Sequence, residues 1–308
     1  MPSRGVMTFA FGGARYCRMA ATLGRSLALH APGVLRALVT DDPRGAHASW
    51  YDIVRPLQTD WGTNLDQRLH LDRYTPFDRT LFIDSDIIAV GNLEEAFAQF
   101  EGYVFSPVGQ NVLRRGAEDP FMDVAHVLDH FGLDSVPKFN GGLFYLDSEA
   151  AGPFMKTARA LSRNYRRLGF SDFRMDGPND EALFATAMAL HDLPMLDDGG
   201  SIMATPSGLG GRLRVDALEG RAQFEKYGTS ISPTLVHFAG AWAAHPVYRQ
   251  EQRKLARWAD GWSHSRIERH SRLLYPWDVA AGTVRMHLRR AYLGSQRRIG
   301  DVLERVRE

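Results

Sequence analysis

Short apolar runs, rich in β-branched and aromatic residues, alternate along this chain with longer segments of helical periodicity. Strands and helices that alternate in this way predict a mixed, mostly parallel sheet covered by helices on both faces. Ligands of such sheets bind at the carboxyl ends of strands, where the strand order reverses. The predicted strands are VMTFAF (6–11), LRALVTD (35–41), YDIVRPL (51–57), TLFID (80–84), YVFSPV (103–108), GGLFYLD (141–147) and TLVHFAG (234–240).

Two of the segments between these strands carry clear helix signals. Residues 15–30 form one amphipathic candidate, and residues 119–132 form another. In the second we expect Asp119 to cap the helix, Pro120 to take its first position and Gly132 to end it.

Composition limits the class of protein. The 308 residues are 44% hydrophobic and 24% charged, which is ordinary for a globular α/β protein that buries a large core. No apolar run approaches the ~20 residues that span a bilayer, and the N-terminal run is too short for a secretory signal. The single cysteine, Cys17, excludes an internal disulfide and a cysteine-based zinc cluster. We therefore expect a cytoplasmic protein.

The C-terminal part of the chain is basic, whereas the rest is mildly acidic. Residues 249–308 contain 14 Lys and Arg against 7 Asp and Glu, and residues 1–248 contain 23 against 29. We therefore divide the chain into an α/β domain at 1–248, the candidate catalytic domain once its motifs are considered below, and a basic helical extension at 249–308. In the extension, apolar residues recur at helical spacing, with arginines between them: Val284, Leu288, Ala291, Tyr292, Ile299, Val302, Leu303 and Val306, and Arg289, Arg290, Arg297, Arg298 and Arg305.

Two interpretations of this basic helix stay open. It packs on its own domain with its arginines in solvent, or it lies on an anionic membrane surface. The second interpretation predicts peripheral contact with the inner face of the membrane.

The segment RTLFIDSDIIAVGNLEEAF (79–97) ends a predicted buried strand in Asp84, Ser85 and Asp86. Residues i and i+2 of a strand face the same way, and a turn after the strand can direct both carboxylates at one cation. Hard oxygen ligands suit Mg²⁺ or Mn²⁺, which keep positions open for phosphate oxygens. A solvated turn would also explain Asp-x-Asp, so this pattern alone does not distinguish a metal site from a turn without a ligand.

Other segments favour the metal interpretation. His237 ends another predicted strand, and imidazole is an acceptable ligand for manganese. Asn140, Gly141 and Gly142 stand at the mouth of a strand, where glycines permit a close backbone approach or a bulge. Asn179, Asp180 and Glu181 begin a helix, a position that the helix dipole alone also favours for acidic residues.

These segments, in this order, resemble the metal-dependent nucleotide-sugar glycosyltransferases of the GT-A (Rossmann-like) fold, and within them family 8, the glycogenin-like and lipopolysaccharide galactosyltransferase-like group. The resemblance covers residues 6–246. It rests on RLHLDRYTPFDRTLFIDSDIIAVGNLEEAF (68–97), FNGGLFYLD (139–147), NDEALF (179–184), HFAG (237–240), and Tyr16 followed by MAATLGRSL (19–27).

The resemblance implies a transferase that moves a hexose from a nucleotide-diphosphate sugar, UDP-glucose or UDP-galactose, to a hydroxyl acceptor with retention of configuration. It implies Asp84, Asp86 and His237 as ligands of Mn²⁺ (or Mg²⁺). The implied catalytic residues, which contact the sugar hydroxyls, are Asn140, Asn179 and Asp180. The residues implied at the nucleotide and diphosphate are Tyr16, which stacks on the base, together with Arg68, Asp84, Ser85, Gly141, Gly240 and His245. The acceptor is a glycan, a lipid-linked saccharide, a protein or a small molecule.

The chain departs from the family in two places. Relatives place an acidic residue before the tyrosine to contact the uracil, whereas this chain has FGGARY, and Asp41 or Asp42 is the candidate substitute. After His-Phe-x-Gly, relatives continue with a lysine and Pro-Trp that close over the diphosphate. Here AWAAHPVY follows, and His245 or Trp242 is the candidate for that role.

Three other functions fit parts of the sequence. A sugar-nucleotide-binding protein without turnover would explain the missing lysine. A haloacid-dehalogenase-like phosphotransferase also ends a strand in Asp-x-Asp, but the small hydroxyl residue or valine expected after it is replaced by Ile88. Nucleic-acid binding by the basic extension lacks a supporting motif, so we expect no nucleic-acid partner.

Overall fold

The computed structural model describes residues 3–62, 64–172 and 178–280, together with Val284. The described strands are β1 (Arg4–Ala10), β2 (Leu35–Thr40), β3 (Ile53–Pro56), β4 (Arg79–Ile83), β5 (Ile87–Ala89), β6 (Phe105–Ser106), β7 (Asn111–Arg114), β8 (Ser135–Lys138), β9 (Leu143–Asp147), β10 (Met203–Ala204), β11 (Leu209–Asp216), β12 (Arg221–Lys226), β13 (Thr229–Ile231) and β14 (Leu235–His237). The α-helices are α1 (Ala14–His30), α2 (Leu71–Tyr74), α3 (Glu94–Gln99), α4 (Val124–Phe131), α5 (Gly152–Ser162), α6 (Asp180–Leu190), α7 (Pro246–Ala259) and α8 (residues 264–280).

A central sheet of six strands has the order β3-β2-β1-β4-β9-β6. Strands β3, β2, β1 and β4 pair in parallel, whereas β9 is antiparallel to both β4 and β6. The carboxyl ends of β1 and β4 therefore meet the amino end of β9 at one edge of the sheet. The predicted mixed, mostly parallel sheet is confirmed.

Helices cover both faces of this sheet, as the alternation of side chains along a strand requires. Met7 and Phe82 point to the face that α5 and α6 cover through Phe154 and Phe184. On the opposite face, Val6, Leu81 and Ile83 pack with Leu23 and Leu27 of α1 and with Phe97 of α3. The sheet is thus buried on both sides, which explains why its strands are nearly continuous apolar runs.

Smaller elements extend this core. Strands β10, β14 and β5 form a second sheet, β11 to β13 form an antiparallel meander, and β7 pairs with β8. Helix α7 packs on α1, and its Tyr248 and Leu255 are buried. The proposed boundary after residue 248 falls within α7. The described part of the extension is helical, and the predicted basic helix from Val284 onward lies outside the described residues except for Val284 itself.

Two expectations for the start of α4 were wrong, namely Asp119 as its cap and Pro120 as its first residue. Helix α4 begins at Val124 rather than at Pro120, and the Asp123 side chain caps it by accepting the His126 N–H. The residue before a proline favours an extended backbone, and Asp119 instead accepts the N–H of Phe121 in a turn. The meander β11 to β13 was not predicted at all.

Candidate metal centre and its surroundings

Asp84, Asp86 and His237 come together at the edge where β4 ends. The N–H of Asp84 donates to the carbonyl of Gly142 over 2.9 Å, in continuation of the β4–β9 ladder. After a one-residue turn, Asp86 directly precedes β5. The antiparallel pairing of β5 with β14 places His237 opposite Ile87, the first residue of β5. Two strand pairings thus bring residues 84 and 237 together.

The three side chains form a compact set of ligand atoms. One ligand atom from each lies within 4.8 Å of the others. Nε2 of His237 is 3.1 Å from Oδ1 of Asp86 and 3.6 Å from Oδ2 of Asp84. Their side chains are 4%, 20% and 18% exposed, so the set is largely buried but open to one side.

Hydrogen bonds fix the orientation of the His237 ring. Its Nδ1 lies 2.7 Å from Oδ1 of Asn140, which also accepts the N–H of Gly142 over 3.1 Å. Because Oδ1 is only an acceptor, Nδ1 carries a proton, so a metal ion would bind at Nε2, which faces the two carboxylates. Two carboxylate oxygens and one such imidazole nitrogen fit Mn²⁺, and the carboxylates also suit Mg²⁺.

The two glycines after Asn140 make room for this arrangement. A Cβ at residue 142 would overlap the ring of His237, and a Cβ at residue 141 would lie 3.1 Å from Cγ of Glu181. From the sequence we expected these glycines to permit a close backbone approach to a ligand or to form a bulge. The structure shows that Gly142 admits the ring of a candidate metal ligand instead.

Arg68 connects the candidate metal ligands to the start of α6. Its guanidinium forms an ion pair with Asp84, and it donates to Oδ2 of Asp180 over 2.8 Å and to the carbonyl of Gly141 over 3.1 Å. The three carboxylates of residues 84, 86 and 180 outnumber this one guanidinium. Carboxylates gathered in this way repel one another, and a bound cation would relieve that repulsion.

Burial and neighbouring charges shift the pKa values of these groups. Burial raises the pKa of Asp84, and Asp86 adds to this effect although Arg68 opposes it. Burial also disfavours the charged form of Asp86, but His237 holds its pKa below the usual range. The pKa of His237 is raised because Asp86 outweighs the effect of burial. These shifts are typical of functional sites.

The two predicted site residues at the start of α6, Asn179 and Asp180, have different partners. Asp180 is 3% exposed and faces Arg68, as described above. Asn179 is also buried, but its side chain caps α6 by accepting the N–H of Ala182 over 3.0 Å. Of the two residues, Asp180 therefore belongs to the network around Asp84, and Asn179 holds the helix that carries it.

Three further charged residues in this region were not predicted as site residues. Glu181 accepts the N–H of Gly141 over 2.9 Å, and burial, aided by Asp180, raises its pKa to about 7. Lys138 lies 3.9 Å from Glu181 and 2.6 Å from Asp119. Acidic residues in a first helical turn are common, and no local signal connects residues 119, 138 and 181.

The other predicted site residues lie around this network. Ser85 is buried between the two aspartates, and Tyr16 is 44% exposed in the first turn of α1. Gly240 begins the 3₁₀ turn Gly240–Ala244 that follows β14, and Nδ1 of His245 accepts the N–H of Val247 at the start of α7.

Asp41, the candidate substitute for the acidic residue that relatives have before the tyrosine, lies close to Gly12 and Gly13, which precede α1. Oδ2 of Asp41, at the end of β2, accepts the N–H of Gly12 over 2.9 Å. The carboxylate of Asp41 is thereby held beside the loop that precedes Tyr16 in the chain. Asp42 instead lines a separate cavity with Cys17.

Comparison with known proteins supports the fold. The sequence matches no protein-family model and no curated protein. The structure is similar to the galactosyltransferase LgtC in complex with donor and acceptor sugar analogs, with a TM-score of 0.50 and 13% identity over 76% of this chain and 87% of that chain. An active-site variant of LgtC gives the same values. A weaker similarity, with a TM-score of 0.42 and 13% identity over 66% of this chain and 87% of that chain, relates it to mouse xyloside xylosyltransferase 1. The similarity to LgtC shows the GT-A fold.

Proposed function

We propose that this GT-A-fold protein is a metal-dependent glycosyltransferase that moves a hexose from a nucleotide-diphosphate sugar to a hydroxyl acceptor. The observation that carries the proposal is the set of Asp84, Asp86 and His237, whose ligand atoms lie within 4.8 Å of one another at the carboxyl edge of the sheet. Ligands bind at this edge in open α/β sheets. A haloacid-dehalogenase-like phosphotransferase is not supported, because the GT-A fold accounts for the Asp-x-Asp turn.

Asp84, Asp86 and His237 would hold Mn²⁺ or Mg²⁺. Such an ion supplies Lewis-acid stabilisation of the negative charge on a departing diphosphate. Asn140 accepts the Nδ1 proton of His237, so that Nε2 is the nitrogen left for the ion when it displaces the second proton, and Arg68 limits the repulsion between the carboxylates of Asp84 and Asp180. The chain thus provides an oriented, partly neutralised anionic site before any ligand binds.

The same network serves the donor sugar. During transfer, the bond between the sugar C1 and the diphosphate oxygen breaks, a bond from C1 to the acceptor oxygen forms, and the acceptor proton passes to the departing diphosphate. Positive charge develops on the sugar, and the carboxylate of Asp180 stabilises it. Asn140 contacts the sugar hydroxyls, while Asn179 caps the helix that carries Asp180. Attack on the face that the diphosphate leaves gives retention.

For the donor we propose UDP-glucose or UDP-galactose. Tyr16 is exposed in the first turn of α1, so a base can stack on its ring. The carboxylate of Asp41, held beside Gly12, accepts the N3–H of uracil in place of the acidic residue that the family has before the tyrosine.

A binding experiment tests this function. Thermal shift and calorimetry with a panel of nucleotide sugars, with and without Mn²⁺, should show stabilisation by a UDP-hexose that requires the metal. Asp86→Asn should abolish the part of this stabilisation that depends on Mn²⁺. Asp129→Asn is the matched control, because Asp129 lies in α4 and forms an exposed ion pair with Arg115. Equal Mn²⁺-dependent affinity in Asp86→Asn and the wild type would contradict the proposal.

A sugar-nucleotide-binding protein without turnover is the second candidate, favoured by the absence of a lysine from the segment after His-Phe-Ala-Gly. Slow hydrolysis of the bound donor separates the two functions. A transferase releases free hexose in the presence of Mn²⁺, and Asp180→Asn slows this release. A binding protein stabilises the donor without releasing sugar above the rate in buffer.

We also propose that α8 contacts an anionic membrane surface, which would bring a lipid-linked acceptor to the enzyme. Leu273 and Trp277 are 71% and 75% exposed, and Val284 is 58% exposed. The spacing of four residues between Leu273 and Trp277 places both on one face of α8, within the basic extension. In the described part of the chain, no helix combines the length and the hydrophobicity needed to cross a bilayer.

Vesicle sedimentation tests this contact. The wild type should partition onto vesicles of phosphatidylcholine and phosphatidylglycerol and less onto phosphatidylcholine alone, and Leu273→Ser with Trp277→Ser should reduce the partition. Tyr227→Ser, which removes an aromatic ring with the same 75% exposure from the meander, is the control. Unchanged partition of the double variant contradicts the contact.

A further inference from the structure

A cavity of about 480 Å³ opens between α1, the turn Gly240–Ala244 and α7. Arg15 and Arg18 of α1 and Arg249 of α7 line it, and no acidic side chain of the described residues does. Ala243 and Ala244 line it from the turn after His-Phe-Ala-Gly, the segment in which relatives have a lysine and this chain has none. The cavity therefore has a strongly positive lining at the place where the expected positive residue is missing.

The two arginines of α1 are available to a ligand. Arg15 and Arg18 are exposed, and neither forms an ion pair with the residues that the structure describes. Arg68, in contrast, is held between two aspartates. Guanidinium groups that converge on a concave surface repel one another unless an anion lies between them, and their planar donors match phosphate oxygens.

Tyr248 gives a second, independent indication of a ligand. This residue lines the same cavity and is 2% exposed, yet its hydroxyl has no hydrogen-bond partner among the described residues. Buried hydroxyl groups are normally satisfied, so one without a protein partner calls for a ligand or water. Burial raises the pKa of Tyr248, Asp86 adds to this effect, and Arg15 opposes it.

The cavity lies close to the candidate metal centre. The ring of Tyr248 packs on that of Phe238, with the ring centroids 4.9 Å apart. Phe238 follows His237 directly, and its N–H donates to the carbonyl of Asp86 over 3.0 Å. None of the three candidate metal ligands lines the cavity itself, and Tyr248 and Phe238 connect the cavity to them.

We propose that this cavity binds a phosphoryl group, with Arg15 and Arg18 as its cationic partners and the hydroxyl of Tyr248 as a hydrogen-bond donor. The inference rests on the proposed function in one respect: we assign the phosphoryl group to the diphosphate of the nucleotide donor. These residues then do for the departing diphosphate what a lysine after His-Phe-x-Gly does in relatives, from helices α1 and α7 instead of from the turn.

Calorimetry with inorganic pyrophosphate in the presence of Mn²⁺ tests the proposal without any transfer assay. The variant Arg15→Gln with Arg18→Gln should bind pyrophosphate about tenfold more weakly or worse, because each arginine loses a charge-assisted hydrogen bond. Its affinity for Mn²⁺ alone should equal that of the wild type. Arg212→Gln, an exposed arginine of the meander, controls for loss of surface charge. Pyrophosphate affinity equal to that of the wild type in the double variant overturns the proposal.

Tyr248→Phe provides a second test with a different signature. If the hydroxyl faces the ligand, its removal raises the melting temperature of the ligand-free protein, since a buried unsatisfied group disappears, and lowers the affinity for pyrophosphate. A higher melting temperature with unchanged pyrophosphate affinity contradicts the role of the hydroxyl.

Separate probes distinguish this inference from the proposed function. Titration of the wild type and the double variant with UDP, UDP-hexose and inorganic phosphate identifies the source of the phosphoryl group. If the wild type binds pyrophosphate through the arginines but binds no nucleotide, the cavity is a phosphoryl-binding site and the proposed donor is wrong. If UDP-hexose binds the wild type and the double variant equally, the proposed function stands and this inference is wrong.

Discussion

Oδ1 of Asn140 lies 2.7 Å from Nδ1 of His237, and this one hydrogen bond decides which ring nitrogen is available to a metal ion. Because Asn140 also accepts the N–H of Gly142, its amide cannot turn round without losing that bond. The asparagine predicted to contact the donor sugar thus also orients a candidate metal ligand. Partners of this kind fix the orientation and raise the basicity of a ligating histidine.

Asn140→Ala should therefore weaken the binding of Mn²⁺ by about 10-fold to 100-fold, the usual effect of losing such a partner. Thr205→Val is the comparison, since its hydroxyl lies 3.3 Å from the same Nδ1 and should contribute less. Calorimetric titration with Mn²⁺ alone measures both. An Asn140→Ala protein with a lower melting temperature but the affinity of the wild type would show a structural role only.

Gly142→Ala should displace the ring of His237, because the added Cβ would overlap it. We expect a loss of about 1–3 kcal/mol in the free energy of unfolding, as for other overpacked sites, together with weaker Mn²⁺ binding. Gly33→Ala is the matched control, since a Cβ there meets no atom within 4 Å. Urea unfolding and Mn²⁺ titration of both variants check this. A Gly142→Ala protein as stable as Gly33→Ala contradicts the assignment.

The sequence predicted the parts of the fold and site that depend on local patterns. Buried parallel strands are continuous apolar runs, and the strands that carry Asp84 and His237 were identified in this way. Their convergence was not predictable from local patterns, because Asp84 ends a strand of the central sheet, His237 ends a strand of the second sheet, and the antiparallel pairing of β5 with β14 brings them together. Gly132, in a left-handed conformation after α4, was identified by the rule for helix ends.

Other features depend on partners that are distant in the chain. The meander was missed because glycines interrupt the alternation of β11, where the register shifts between Gly210 and Arg214. The ion pairs of Lys138 with Asp119 and Glu181 join segments with no common local pattern. The use of Asn179 as a helix cap competes with its predicted contact to the sugar, and only the tertiary structure shows that its side-chain oxygen is occupied.

Asp41→Asn should weaken UDP binding while leaving pyrophosphate binding unchanged. Asparagine can still accept the Gly12 N–H, but it loses the charge that strengthens a hydrogen bond to uracil N3–H, so we expect a loss of roughly threefold to tenfold. Asp42→Asn is the comparison and should bind UDP like the wild type. If Asp42→Asn has the larger effect, the assignment of the base contact to Asp41 is wrong.

Glu251 should make the stability of the protein depend on pH. It is 1% exposed, accepts the N–H of Ala217 over 2.7 Å and lies 3.3 Å from Nζ of Lys254. Burial raises the pKa of its carboxyl from 4.5 to about 7, despite the opposing effect of Lys254. The folded state therefore binds a proton more tightly than the unfolded state. Its contribution is fully present below pH 4.5 and is lost as the pH rises through about 7.

Glu251→Gln should remove this dependence. The amide oxygen can still accept the Ala217 N–H, and Lys254 retains Glu268, at 2.8 Å, as a partner. Between pH 5 and pH 7.5 the wild type should lose on the order of 2–3 kcal/mol more unfolding free energy than the variant, since one pKa unit corresponds to about 1.4 kcal/mol. Urea unfolding of both proteins at the two pH values measures the difference. Equal losses in the two proteins would show that Glu251 is ionised in the folded state throughout this range, with Lys254 sufficient to hold its charge.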